Sequence, residues 1–210
     1  MDIGIIGAGN IGATSARLLA GVGHSVALAN SRGPDSLAAT VAEMDGDVRA
    51  ATVPEAAAFG EVVLVAIPFG SYEDLPVEPL AGKIVIDAMN YYPSRDGAIA
   101  ELDDGSATSS GLLQAHLSGS VVVKAINTVP SGRLAGEGRT AGDPERLAVP
   151  VAGGDEEAKR TVIALLDQMG FDGVDAGTLE DGGRRQQPGT PVFGAKMTSE
   201  QVRDALAAAG

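Results

Sequence analysis

An α/β protein built on a doubly wound parallel sheet is the fold class this sequence predicts, on three observations. Short apolar runs alternate with helical stretches over most of the 210 residues. Three of these runs, Val62-Val63-Leu64-Val65-Ala66-Ile67, Ile84-Val85-Ile86-Asp87 and Val121-Val122-Val123-Lys124-Ala125-Ile126, are continuous, as strands covered on both faces require. The first run, Ile3-Gly4-Ile5-Ile6, passes straight into Gly7-Ala8-Gly9-Asn10-Ile11-Gly12 and a helix.

That glycine spacing between a strand and a helix is the signature of a phosphate-binding turn in a Rossmann-type, NAD(P)-binding domain. Gly7 permits the tight turn, Gly9 lets the backbone approach a pyrophosphate, and Gly12 lets the helix pack closely. Free N–H groups around Asn10 and Ile11, at the positive end of the helix dipole, then face the phosphates. The helix is expected to bury Ile11, Ser15, Leu18, Leu19 and Val22, which recur at helical spacing.

A second strand, Ser25 to Ala29, ends at Asn30-Ser31-Arg32, where the adenosine ribose of a dinucleotide lies. A carboxylate there accepts the ribose 2′-OH of NAD and repels a 2′-phosphate. Ser31 and Arg32 supply instead a hydroxyl and a guanidinium, which suit the 2′-phosphate of NADP. The alternative ribose ligand is Asp35, but its place after Gly33-Pro34 reads as a helix start.

The remaining elements follow in order. A helix carrying Leu37, Val41 and Met44 precedes a short strand, Val48 to Ala51, and a small helix entered at Pro54. Beyond the strand at residues 62–67 come the strand at 84–87, a helix from Gly111 to Leu117, and the strand at 121–126. Leu147 to Ala152 forms another strand, Glu156 to about Met169 a helix with acidic residues at its start, and Val174 marks a last strand. Between Gly177 and Ala195 no periodicity is visible, and Thr198-Ser199-Glu200-Gln201 opens a terminal helix. The expected organisation is therefore a dinucleotide domain over residues 1–176 and a small C-terminal segment, 177–210, that is not an independent domain.

Composition narrows the possibilities. With 44% hydrophobic residues the chain can bury a full core. A formal charge of -13 argues against nucleic acid or an anionic membrane as partner. The absence of cysteine removes thiolate catalysis and thiolate metal sites and fits a reducing compartment. With no signal-peptide pattern and no run of 18 apolar residues, a cytoplasmic location is expected.

Ligands of such sheets lie beyond the carboxyl ends of the strands. The candidates there are Ile67, Pro68 and Phe69 on the adenosine side, and Met89, Asn90, Asn127, Val129 and Pro130 around the nicotinamide. Groups for proton transfer are scarce. His24 reads as a surface turn residue and His116 as a helix-end residue, while the charge of Lys124 is expected to emerge at its strand end. No His or Cys spacing suggests a metal site. Arg184 and Arg185, adjacent in an acidic chain, either meet an anionic second substrate or pair with the protein's own carboxylates.

The chain resembles the NADP oxidoreductases dependent on the deazaflavin coenzyme F420. The similarity rests on the Ile3–Gly12 start, Gly23-His24, Ser31-Arg32, Ala66-Ile67-Pro68, Asn127-Thr128-Val129-Pro130, and Asp175-Ala176-Gly177 with Leu179 and Arg184. It departs from well-known members at Asn127, where they carry a histidine. The resemblance implies NADP(H) held by Gly7, Gly9, Asn10, Ile11, Ser31 and Arg32, a deazaflavin stacked near Asn127, Val129 and Pro130, a C-terminal segment closing over the nicotinamide, and a homodimer. Val192 and Phe193 are the expected apolar contributors to that interface. The expected activity is hydride transfer between NADPH and coenzyme F420 or a flavin-like acceptor. The alternatives are an NADPH reductase of a small imine, ketone or ferric/flavin acceptor, and a non-catalytic NADPH sensor.

Overall fold

The computed structural model describes residues 1–208. One eight-stranded sheet organises them in the order β3-β2-β1-β4-β5-β6-β7-β8. Its strands are β1 (Asp2–Ile6), β2 (Ser25–Ala29), β3 (Val48–Ala51), β4 (Val62–Val65), β5 (Ile84–Asp87), β6 (Val121–Lys124), β7 (Ala148–Gly153) and β8 (Asp172–Gly177). Neighbours from β3 through β6 are parallel, in register such as Ile6↔Ala29 and Val65↔Asp87. The expectation of a parallel sheet fails at β7, which pairs antiparallel with β6 through Val123↔Gly153 and Lys124↔Ala152, and β8 follows the direction of β7. Every residue of β7 is buried, and a strand covered on both faces has the same apolar pattern whichever way it runs.

The helices are α1 (Asn10–Gly21), α2 (Ala38–Ala42), α3 (Val53–Phe59), α4 (Val77–Leu80), α5 (Pro93–Asp96), α6 (Ala100–Asp103), α7 (Ser109–His116), α8 (Ser131–Gly136), α9 (Glu156–Gln168), α10 (Asp181–Arg185) and α11 (Ser199–Ala208). Local chemistry fixes several ends. Thr52 and Glu55 form a capping box at α3, with Glu55 Oε2 accepting from Thr52 N at 2.8 Å. Lys83 Nζ closes the other end of α3 by donating at 2.7 Å to the carbonyls of Ala57, Ala58 and Gly60. At α9, Asp155 accepts from the N–H groups of Glu157 and Ala158, as the acidic run at that helix start leads one to expect.

Two layers flank the sheet. On one face Ile3, Ile5, Val123, Val149 and Val151 pack with Leu19 of α1, Leu134 of α8, and Val162 and Leu165 of α9. Opposite them Val63, Val65, Val85 and Val122 meet Ala56 of α3, Leu80 of α4, and Leu113 of α7. A third cluster joins Ala148, Ala152 and Val174 to Val192, Val202 and Leu206, so α11 covers the β7–β8 end.

Four details correct the sequence reading. In α1, Ser15 and Leu19 are buried as expected and half-buried Ile11 and Leu18 pack on the same core, but Ala13, Ala16 and Ala20 share the buried face and Val22 is 45% exposed. Small side chains let the helix sit close to the sheet, and Val22 lies past its last turn. His24 is buried because α9 ends against it: its Nε2 is 2.7 Å from Gln168 Oε1. Val192 is also buried, packed inside its own chain, and is thus spent before any subunit contact. Finally, the stretch after Gly177 contains the short helix α10.

Candidate functional site

The glycine turn sits where β1 gives way to α1. Gly7 has φ of 109°, and a side chain there would run into the Ala66 carbonyl. A side chain at Gly12 would strike the Gly7 carbonyl, so the first turn of α1 can seat directly on the strand end. Gly9 has open space where a Cβ would stand. Asn10 is exposed and Ile11 half-buried beside it. The turn is thus closed from beneath and open above, with the unpaired N–H groups of a 12-residue helix at its lip.

A cleft of about 410 Å³ opens from this turn, lined by Gly7, Ala8 and Gly9, by Asn30, Ser31 and Arg32, and by Ile67 and Pro68. Asn30 organises the second of these groups: its Oδ1 accepts from Arg32 N at 2.9 Å and its Nδ2 donates to Ser36 Oγ at 2.9 Å. The Ser31 and Arg32 side chains are left exposed. Asp35 lies in a short 3-10 turn, Pro34–Leu37, outside the cleft lining, as its reading as a helix start requires.

Phe69 and Met89 do not line this space. Phe69 is fully buried, stacked on Tyr72 with ring centroids 4.7 Å apart, because the chain after Pro68 coils into a 3-10 turn that rotates it inward. Ser71 of the same turn faces the cleft instead, with Asp74, Leu75 and Val53, and sequence reasoning missed these last three. Met89 is 1% exposed, its N–H donating to Asp87 Oδ1 and its carbonyl accepting from Lys124. A hydrophobic residue just after a strand can face either the ligand or the core, and only the loop's winding decides.

The mouth beyond β5 and β6 is built differently. Ile126 adopts φ of 68°, a strained conformation for a β-branched residue, and Asn127 follows it. Asn127 Nδ2 donates to Asn90 Oδ1 at 3.1 Å and to the Gln186 carbonyl at 2.8 Å, while Asn90 Nδ2 returns a bond to the Asn127 carbonyl at 2.9 Å. Gly194 N donates to the Thr128 carbonyl, and Arg133 to the Gly194 carbonyl, both at 2.9 Å. The loop carrying Val129 and Pro130 is therefore tied to residues 186–194. Asn127 Oδ1 and both amide atoms of Gln186 are buried without a hydrogen-bond partner among the described residues. The burial of Gln186 has no signal in the sequence, where it reads as one of two polar residues in a loop.

Lys124 contradicts its expected exposure. It is 1% exposed and donates to Asp87 Oδ2 at 3.2 Å and to the Met89 carbonyl at 3.2 Å, while Ser110 Oγ donates to the same carboxylate oxygen at 2.6 Å. The short strand ends at Lys124, and α7 closes over its ammonium before it can reach water. Arg184 and Arg185 lie on α10, away from the cleft lining; Arg184 is exposed and donates to the Gly105 carbonyl at 2.9 Å. Among the described residues neither forms an ion pair, and no cluster of His, Cys, Asp or Glu is placed to hold a metal ion. No described helix is long and apolar enough to cross a membrane.

A glycine turn at the carboxyl ends of strands ordered 3-2-1-4-5-6, with a cleft across them, defines a protein of the Rossmann-type, NAD(P)-binding class. Residues 2–91 match the model of the family described as NADP oxidoreductase, coenzyme F420-dependent, and that match supports an NADP-dependent oxidoreductase. Among solved structures it is similar to the hypothetical protein SMa0349 from Sinorhizobium meliloti, at 31% identity and a TM-score of 0.81 over 93% of this chain and 94% of that one. It is also similar to a protein named as an F420-dependent NADP-reductase from Arthrobacter sp. FB24, at 28% identity and 0.69 over 84% and 85% of the two chains. A reductive aminase from Aspergillus terreus, solved with NADPH and ethyl levulinate, shares the fold at 18% identity and a TM-score of 0.61, with 84% of this chain spanning 54% of that one. No curated protein matches.

Proposed function

We propose that this protein passes hydride between NADPH and a deazaflavin such as coenzyme F420, or a flavin-like acceptor. The observation that carries the reading is the character of the mouth beyond β5 and β6. Asn90 is half-buried and Pro130 exposed there, Asn127 and Val129 are buried behind them at 4% and 8% exposure, and the charged pair beneath, Lys124 and Asp87, is sealed at 1% and 0%. A reductase of ketones or imines needs a group that delivers a proton to the substrate heteroatom. Exchange of hydride between two redox rings needs face-to-face placement and exclusion of water.

In this reading the turn of Gly7, Gly9 and Gly12 receives the pyrophosphate against the N–H groups around Asn10 and Ile11. Ser31 and Arg32 hold the 2′-phosphate, with Asn30 fixing the backbone between them. Ile67 and Pro68 form the floor of the adenosine side. Asn127, Val129 and Pro130 position the nicotinamide, and the tie from Asn127 to Asn90 and Gln186 keeps that wall rigid. Bound NADPH supplies the hydride, and the acceptor ring takes its balancing proton from water.

Rapid mixing of the purified protein with NADPH and oxidised deazaflavin tests the reading. Loss of the two absorbances in equal amounts is the expected result. Absence of transfer at saturating concentrations would overturn it. Consumption of NADPH only with imines or ketones points to the small-substrate reductase, and tight binding of NADPH with no consumption points to a sensor.

A further inference from the structure

The cations of this acidic chain are mostly spoken for where they are buried. Lys124 pairs with Asp87, Arg146 with Asp167 and Asp172, and Lys159 with Glu156 and Asp175. Arg17, by contrast, is exposed and makes no ion pair with the described residues, although the chain carries 28 carboxylates against 15 lysines and arginines. It lines a second cleft, of about 360 Å³, with Ala8, Gly9, Asn10, Thr14 and Ser131. Ala8 and Gly9 also line the cleft that contains Arg32, so the two spaces meet at the glycine turn and part from it, one toward β2 and one between α1 and α8.

Asn10, Thr14 and Arg17 stand at i, i+4 and i+7, which brings their side chains onto one face of α1. Across from them Ser131 directly follows Pro130, at the mouth beyond β6. A ring held against Val129 and Pro130 therefore has this cleft as its neighbour. Seven residues at 1.5 Å each set the Arg17 backbone about 10 Å along the helix from Asn10, beyond the phosphates that the helix mouth itself receives.

We propose that the cleft between α1 and α8 is a second anion subsite, which takes a phosphate- or carboxylate-bearing tail on the hydride-exchanging co-substrate. Arg17 is its charged anchor, and the hydroxyls of Thr14 and Ser131 are its further donors. The proposal rests on the reading of the site as hydride transfer between NADPH and a second redox ring. It assigns the tail to Arg17 ahead of Arg184 and Arg185, which line neither cleft at the glycine turn.

Two acceptors with the same ring separate tail from ring: the deazaflavin with its anionic tail, and the same deazaflavin ending at its neutral ribityl chain. Arg17→Ala should lower the ratio of kcat/KM for the tailed over the tail-less acceptor roughly tenfold, as loss of a charge-assisted contact implies. Arg17→Lys should restore most of that ratio, and the wild-type preference should shrink as salt is added. A ratio of one in the wild type, an equal loss on both acceptors, or a loss of NADPH affinity in place of acceptor affinity would overturn the proposal. So would a loss of the preference in the Arg184→Ala/Arg185→Ala double variant with Arg17→Ala unaffected. If neither acceptor is reduced, hydride transfer itself has failed; fluorescence titration of the tailed deazaflavin into NADP⁺-loaded protein then decides the subsite, and binding that is absent or indifferent to Arg17→Ala overturns it.

Discussion

The two mouths of this sheet spend their polar groups in opposite ways. Beyond β1, β2 and β4, Ser31 and Arg32 are exposed and Gly9 faces open space, so donors are left over. Beyond β5 and β6, Asn90, Asn127, the Gln186 carbonyl, Thr128 and Gly194 are bonded to one another across the loops, and the groups left without a partner among the described residues, Asn127 Oδ1 and the Gln186 amide, are buried. Under the proposed function, the lesson is that a phosphate is met by unspent donors at an open lip, whereas a flat ring is met by walls that must not move.

The largest expected effect tests those walls. Lys124→Met leaves the Asp87 carboxylate buried without its cation, and urea unfolding should show a loss of about 3–5 kcal/mol. Pairing it with Asp87→Leu should recover much of that loss, since an apolar pair leaves no buried charge. A loss under about 1 kcal/mol for the single variant would mean the pair does not hold the second mouth together.

A smaller effect sharpens the first mouth. Arg32→Glu should weaken NADPH binding about 100-fold while NADH changes by less than about threefold, because a carboxylate there opposes the 2′-phosphate alone. Equal losses for the two cofactors, measured by fluorescence titration, would remove Arg32 from the role of selector.

The contrast also explains what could be read in advance. The glycine turn, the order of apolar runs and the Asn30-Ser31-Arg32 end were legible because each is local: a few consecutive residues carry the whole physical requirement. The direction of β7, the burial of His24 and Lys124, and the inward turn of Phe69 and Met89 were not, because each depends on what another element places on top. Lys124 shows the limit well. Its sequence neighbours say only that a charge sits in an apolar strand, whereas Asp87, which receives it, comes from β5, and Ser110, which donates to that carboxylate, from α7.

The smallest effect lies at the far end of the sheet. Burial opposes ionisation of Asp175, but its bonds to Lys159 Nζ at 2.7 Å and from Gly177 N at 2.8 Å outweigh that and hold its carboxyl below the usual 3.8. A carboxylate depressed in the folded state adds stability above its unfolded pKa and loses it as pH falls through the folded value. Asp175→Asn should thus lower Tm by about 1–2 °C at neutral pH, with the gap closing below about pH 4. A gap that widens on acidification would contradict this sign.

Deuterium tracing puts the central claim, that these two mouths bring NADPH and a second redox ring face to face, to the most direct test. NADPH carrying deuterium on one face of its nicotinamide C4 is oxidised by the deazaflavin in the presence of the protein, and the products are examined by mass spectrometry. The account predicts that deuterium from one face only is found on the reduced deazaflavin ring, with none in water. Deuterium lost to solvent, or transferred from both faces alike, would contradict it.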